Sequence, residues 1–83
     1  MIEASQLRAA RGLIEWSQTQ LAEAAGLSLP TIKRMEKVGP GRSSADNVNA
    51  VRRALEAAGV VFLEAGASAE GGPGVRLRKD LGT

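Results

Sequence analysis

Cationic side chains are the chemically loaded residues that cluster in this sequence of 83 residues. Lys33, Arg34 and Lys37 lie within one short stretch, and Arg42, Arg52 and Arg53 follow, with only Glu36 and Asp46 interspersed. From Ser28 to Arg53 six cations therefore face two acids, a local balance of +4 in a chain whose formal charge is only +2. The remainder is net acidic, so the basic character is concentrated rather than spread. Guanidinium and ammonium groups gathered in this way suit phosphate, and the arginine fork suits the N7 and O6 acceptors of guanine. Other chemistry is poorly provided for. With neither cysteine nor histidine, the chain lacks disulfides, thiolate metal sites and most of the residues used for nucleophilic, acid-base or zinc catalysis, leaving scattered carboxylates. The expectation is a binding protein with no cofactor and no metal, not an enzyme. Taken singly, Lys33, Arg34 and Lys37 would describe an ordinary solvated helix face; the elements that carry them decide otherwise.

Those elements are legible around Ser17 to Lys37. Ser17 and Gln20 have the spacing of a capping box, which starts a helix near Gln18. Leu21, Ala22 and Ala25 form its apolar stripe, and Gly26 suits the left-handed position just past a helix end. Ser28 offers a second N-cap, and Pro30 in the first turn removes only an amide with no helical partner. Along this next helix, at about 100° per residue, Ile32 and Met35 fall on one side, while Pro30, Lys33, Arg34 and Lys37 gather on the other. Glu36 lies about 40° from Ile32, on the core-facing flank.

The stretch resembles the helix-turn-helix of the phage-repressor (Cro/C1-type, XRE) family. Leu7, Arg11, Trp16-Ser17-Gln18, Leu21-Ala22, Gly26, Ile32 and Glu36 carry the resemblance, which spans roughly Gln6 to Gly59. It implies that the exposed face and start of the second helix enter the major groove of double-stranded DNA, with Ser28, Leu29, Pro30, Lys33 and Arg34 facing base edges. Gln18, at the start of the preceding helix, would contact phosphate, as would Lys37, Arg42, Ser44 and Asn47. Leu29 and Pro30 depart from the polar residues often found there and suit thymine methyls or helix placement. Arg11 and Glu36 match positions that can form an ion pair tying the first helix to the recognition helix.

The remaining elements follow from pattern. A first helix is predicted from between Glu3 and Gln6 to Arg11 or Leu13, burying Leu7, Ala10 and Ile14, with Trp16 as a staple just before the next cap. Val38 to Ser44 reads as a loop, after which Ser43 or Ser44 caps a longer helix with Val48, Val51, Leu55 and Ala58 inward and Gly59 at its end. The core is expected to gather Leu7, Leu21, Leu27, Ile32 and Met35 against this helix. Val60 to Ala65 and Val75 to Lys79 then read as two strands around a loop of small residues.

The expected fold is mainly α: a four-helix repressor-like helix-turn-helix domain over residues 1–59 with a C-terminal β-hairpin over 60–83. At this size a single core is only marginally sufficient, so a partner subunit is expected. Val61, Phe62, Leu63, Val75 and Leu77 are the predicted dimerisation residues, with Val61 and Leu63 gathered with Val75 and Leu77 into one apolar surface. The functional expectation is a cytoplasmic, homodimeric, sequence-specific regulator of transcription, with no export signal or membrane span. Two rivals share these features: an antitoxin whose tail binds a toxin, and a protein-interaction module that has lost DNA binding.

Overall fold

The structure, a computed structural model, describes residues 2–63 and 72–78, the side chain of Arg42 excepted. Four α-helices, α1 (Ala4–Ile14), α2 (Gln18–Ala25), α3 (Leu29–Val38) and α4 (Ala45–Ala57), precede the strands β1 (Val60–Leu63) and β2 (Gly74–Leu77). The segment between α3 and α4 includes a single 3-10 turn, Pro40–Arg42. Leu7, Ala10, Leu21, Ile32, Met35, Val51 and Leu55, one stripe from each helix, close on one another as the core, joined by Ile2, Ala22 and Val60. Of the expected core residues, Leu27 is only partly buried and packs on its margin, as does Trp16.

Helix boundaries follow the caps. Ser17 Oγ accepts the Gln20 N–H at 3.0 Å while Gln20 Oε1 accepts the Ser17 N–H at 2.7 Å, so both orphan donors are satisfied. Gly26 ends α2 in the left-handed region at φ 70°. Ser28 caps α3 through the Thr31 N–H, and of the two candidate serines Ser44, not Ser43, caps α4. α1 runs past Gly12 because Ile14 still packs on the core; the left-handed turn then falls on Glu15, at φ 56°.

The strands pair antiparallel, Val60 with Leu77, Val61 with Arg76, Phe62 with Val75 and Leu63 with Gly74. This register corrects the expected apolar surface. Cross-strand partners share a face, so Val60 and Phe62 are grouped with Leu77 and Val75, while Val61 and Leu63 lie on the other face with Arg76 and Gly74. Three of the first group point inward, Val60 being buried and Phe62 and Val75 packing on the helical core, while Leu77 at the end of β2 stays exposed. The hairpin is thus a flank of the helical domain, lying on α1 and the end of α4. Buried Gln6 holds it there, its Nε2 donating to the Leu63 and Gly74 carbonyls at 3.1 and 3.0 Å. Glu64, Ala65 and Lys79, to which the strands were expected to extend, and most of the connecting loop lie outside the described residues.

Candidate nucleic-acid interface

α3 carries the basic cluster and is held from behind. Ile32 and Met35 sink into the core, while Lys33, Arg34 and Lys37 are exposed. The one acid on the helix, Glu36, is turned inward and its side chain is only 3 % exposed. A carboxylate so buried needs a counter-charge and hydrogen bonds, and α1 and α2 supply both. Arg11 meets it with two bonds, Nε to Oε2 at 2.6 Å and Nη2 to Oε1 at 2.8 Å. The third guanidinium nitrogen, Nη1, donates to the Trp16 carbonyl at 2.9 Å, which ties the chain between α1 and α2 into the same cluster. Hydrogen bonding to Glu36 raises the Arg11 pKa above the ordinary arginine value, against a smaller opposing effect of burial. Arg11 is therefore a permanent cation in this setting.

Two further groups converge on Glu36. Gln18 Nε2 donates to Oε1 at 3.1 Å, and Arg8 Nη1 donates to the Glu36 backbone carbonyl. α1 thus grips the last turn of α3 with two arginines three residues apart, one on the side chain and one on the main chain. The consequence is electrostatic as well as mechanical: with its acid neutralised behind it, the outward face of α3 presents cations without an opposing charge of its own.

The residues expected at DNA are placed as follows. Pro30, Lys33, Arg34 and Lys37 are exposed on α3, and Leu29 is half-buried at its start. The exposed Ser28 hydroxyl already accepts the Thr31 N–H and shares a 2.8 Å bond with Thr31 Oγ1. Gln18 stands half-buried at the first position of α2, with one amide N–H committed to Glu36 and a second remaining for an anion. Ser44 is exposed and spends its hydroxyl on the Asn47 N–H at 3.2 Å, and Asn47 is half-buried beside it. Arg42 sits in the 3-10 turn; its side chain is outside what the structure describes. Next to that turn, Pro40, Gly41, Ser43, Ala45, Val48 and Asn49 line an open, mainly apolar hollow of about 240 Å³ with no charged side chain.

The arrangement also holds residues that sequence reasoning missed. Arg8 precedes Arg11 by three positions on one helix, a spacing that places both on one face and could have drawn attention to it. Thr31, locked to Ser28, has no signal beyond its place one turn into α3. Arg52 has an ordinary i,i+4 partner in Glu56 at 3.2 Å, but its guanidinium also lies 5.6 Å from the Phe62 ring centroid, which helps seat β1.

Two short helices joined by a glycine turn, the second with a cationic face and an inward acid, form a unit built to present α3. No described helix is long and apolar enough to cross a membrane. No curated protein matches the chain. Residues 4–62, from the start of α1 into β1, match the helix-turn-helix domain family, and the chain belongs to that family.

Proposed function

We propose that the protein is a sequence-specific DNA-binding regulator of transcription of the phage-repressor (Cro/C1-type, XRE) kind, acting in the cytoplasm as a homodimer without a cofactor. The observation that carries this reading is the division of labour on α3, where Lys33, Arg34 and Lys37 face solvent and Glu36 is withdrawn into its bond with Arg11. A helix of that design lies in the major groove without a carboxylate turned to the phosphates. Arg34 reads guanine through two hydrogen bonds, Lys33 reaches a neighbouring base edge, and Ser28, Leu29 and Pro30 set the approach at the start of the helix. Gln18, with the first amides of α2, binds a backbone phosphate, and Lys37, Arg42, Ser44 and Asn47 supply further backbone contacts.

Selection of binding sites from random duplex DNA tests this reading. The expected product is a short motif, repeated as an inverted pair, whose binding weakens steeply with salt. Recovery of no motif, with only weak and uniform binding at low salt, would remove the regulator reading and leave a helical interaction module.

A further inference from the structure

We propose that the outer edge of β2 is a self-pairing surface. Two copies of the chain join β2 to β2 antiparallel across a two-fold axis centred on Val75, making one four-stranded sheet. This assigns the contact of the homodimer proposed above, and its test needs no DNA.

The backbone groups that face outward can be identified. In an antiparallel ladder, residues alternate between those whose N–H and C=O meet the neighbouring strand and those whose groups point away. The Arg78 N–H donates to the Gly59 carbonyl at 2.7 Å, so that position is of the meeting kind, as are Arg76 with Val61 and Gly74 with Leu63 two and four residues earlier. Gln6 gives an independent check. Its single Nε2 reaches both the Leu63 and the Gly74 carbonyl, which requires both oxygens to face the gap between the strands. The main-chain groups of Val75 and Leu77 therefore point away from β1, and among the described residues nothing bonds to them. Beside these groups Arg76 and Leu77 are exposed, and Leu77, at 40 %, is one of three large apolar side chains exposed among the described residues.

An open edge of this kind invites a strand, and charge decides which. Three two-fold registers place both outward residues in the ladder. Centred on Arg76, the pairing sets Arg76 directly opposite its own copy; centred on Leu77, it sets Arg76 opposite Arg78, twice. Both bring like charges together in the closest cross-strand position. Centred on Val75, the pairing sets Arg76 opposite Gly74 and Arg78 opposite Gly72, so each arginine covers a residue without a side chain. Leu77 then lies across from Pro73, whose carbonyl accepts the Leu77 N–H and whose lack of an N–H ends the ladder there.

Cysteine pairing reads the register directly, because the chain has no cysteine of its own. Gly74→Cys and Arg76→Cys are made separately. Gly74 has no left-handed φ, and a Cβ there meets only a Leu63 methyl at 4.0 Å, so the substitution is accommodated. In the Val75-centred register these two positions face each other as a close, non-hydrogen-bonded pair, within disulfide reach. The expected result is a disulfide-linked dimer when the two variants are mixed under oxidising conditions, and none from either alone. Cross-linking of Arg76→Cys with itself would overturn the register in favour of one centred on Arg76. Leu77→Pro is the second arm, since it deletes an N–H that points away from β1. It should sediment as a monomer, with helical circular dichroism unchanged, at concentrations where the unaltered chain is a dimer. An unaltered chain that is monomeric, a Leu77→Pro chain that stays dimeric, or a dimer whose mixed cysteines do not cross-link would each overturn the proposal. These readouts stand whether or not the chain binds DNA, so failure here and failure of the regulator reading are told apart.

Discussion

The helix-turn-helix and the hairpin occupy the same small domain but are specified in different ways. From Ser17 to Lys37 nearly every turn of the chain is fixed by a residue within three or four positions: Ser17 by Gln20, Gly26 by its own φ, Ser28 by Thr31. The hairpin is fixed from a distance. Gln6, 57 residues before Leu63, holds the end next to the connecting loop, and Arg52 and the core determine which side Phe62 faces. Local devices make the helix-turn-helix stiff by itself; remote ones make the tail conditional on the helices beneath it. Substitutions in the two regions should therefore fail differently.

The largest effect is expected where the helix-turn-helix does depend on a remote residue. Arg11→Ala leaves the Glu36 carboxylate buried with only Gln18 and should cost about 3 kcal/mol, near the low end for a broken buried pair because the Arg11 side chain is itself 21 % exposed. Chemical denaturation measures this, and a loss below about 1 kcal/mol would show that the pair behaves as a surface one. The pH dependence has a definite sign. The folded-state pKa of Arg11 is raised, so the stability it confers is complete below the unfolded value and is lost only as pH climbs through the folded one, beyond the ordinary arginine range. Between neutral and moderately alkaline pH the Arg11 contribution should stay constant.

Next in size is a binding effect that should leave stability untouched. Arg34→Ala removes an exposed cation with no partner on its own helix face, so unfolding should shift by less than about 0.5 kcal/mol. Affinity for the best selected site should fall by about 1–3 kcal/mol and the preference at one base pair should relax. Lys37→Ala is the control: affinity falls alike for all sequences and the salt dependence flattens by about one unit of slope. An unchanged ranking of operator variants in Arg34→Ala would move base reading elsewhere on α3.

Gln6→Ala tests the tail in the same terms. It removes the donor shared by the Leu63 and Gly74 carbonyls and the acceptor for the Glu3 N–H at 2.7 Å. Both carbonyls keep their ladder position, so the cost should be about 1–2 kcal/mol, not the larger penalty of an orphaned group. Hydrogen exchange should quicken at β1 and β2 amides before those of α2 and α3; equal quickening in all four would show that the tail and the helices open together.

This difference also explains what the sequence disclosed. The caps, the glycine turn, the inward and outward faces of α3 and the Val51 and Leu55 part of the α4 stripe arise from spacings inside one element and could be read there, whereas Val48 lines the open hollow and Ala58 caps the helix end. The existence of two antiparallel strands was equally legible from alternation in Val75 to Arg78. Their facing was not. Val61 and Leu63 alternate as well as Val60 and Phe62 do, and the choice between the pairs is made by where α4 delivers the chain to the core, so the expected apolar surface came out one residue out of step. Arg8 and Gln6 were passed over for a related reason: each is a polar residue on a helix, and its partner lies 28 or 57 residues away. For the site itself, residue types identified the cations and the family resemblance supplied the Arg11 to Glu36 match, whereas the convergence of Arg8 and Gln18 on Glu36 is a property of three packed helices.

The smallest effect compares two turns within the locally specified region. α1 and α2 both end in a left-handed residue, Glu15 at φ 56° and Gly26 at φ 70°. Only glycine takes that conformation without a Cβ penalty, which for other residues is about 1–2 kcal/mol. Glu15→Gly relieves the penalty but adds flexibility to the unfolded chain, worth about 0.4–1 kcal/mol in the opposite direction. The balance should be a gain of about 0.5 kcal/mol, since the exposed Glu15 has no side-chain partner to lose among the described residues. Gly26→Ala should do the reverse and cost about 1 kcal/mol, although open space surrounds a Cβ there, because the strain lies in the backbone and not in a contact. Paired thermal melts of the two variants measure both. A stabilised Gly26→Ala, or a destabilised Glu15→Gly, would mean that something other than backbone conformation sets these helix ends, and that the local devices are less self-sufficient than their contrast with the hairpin implies.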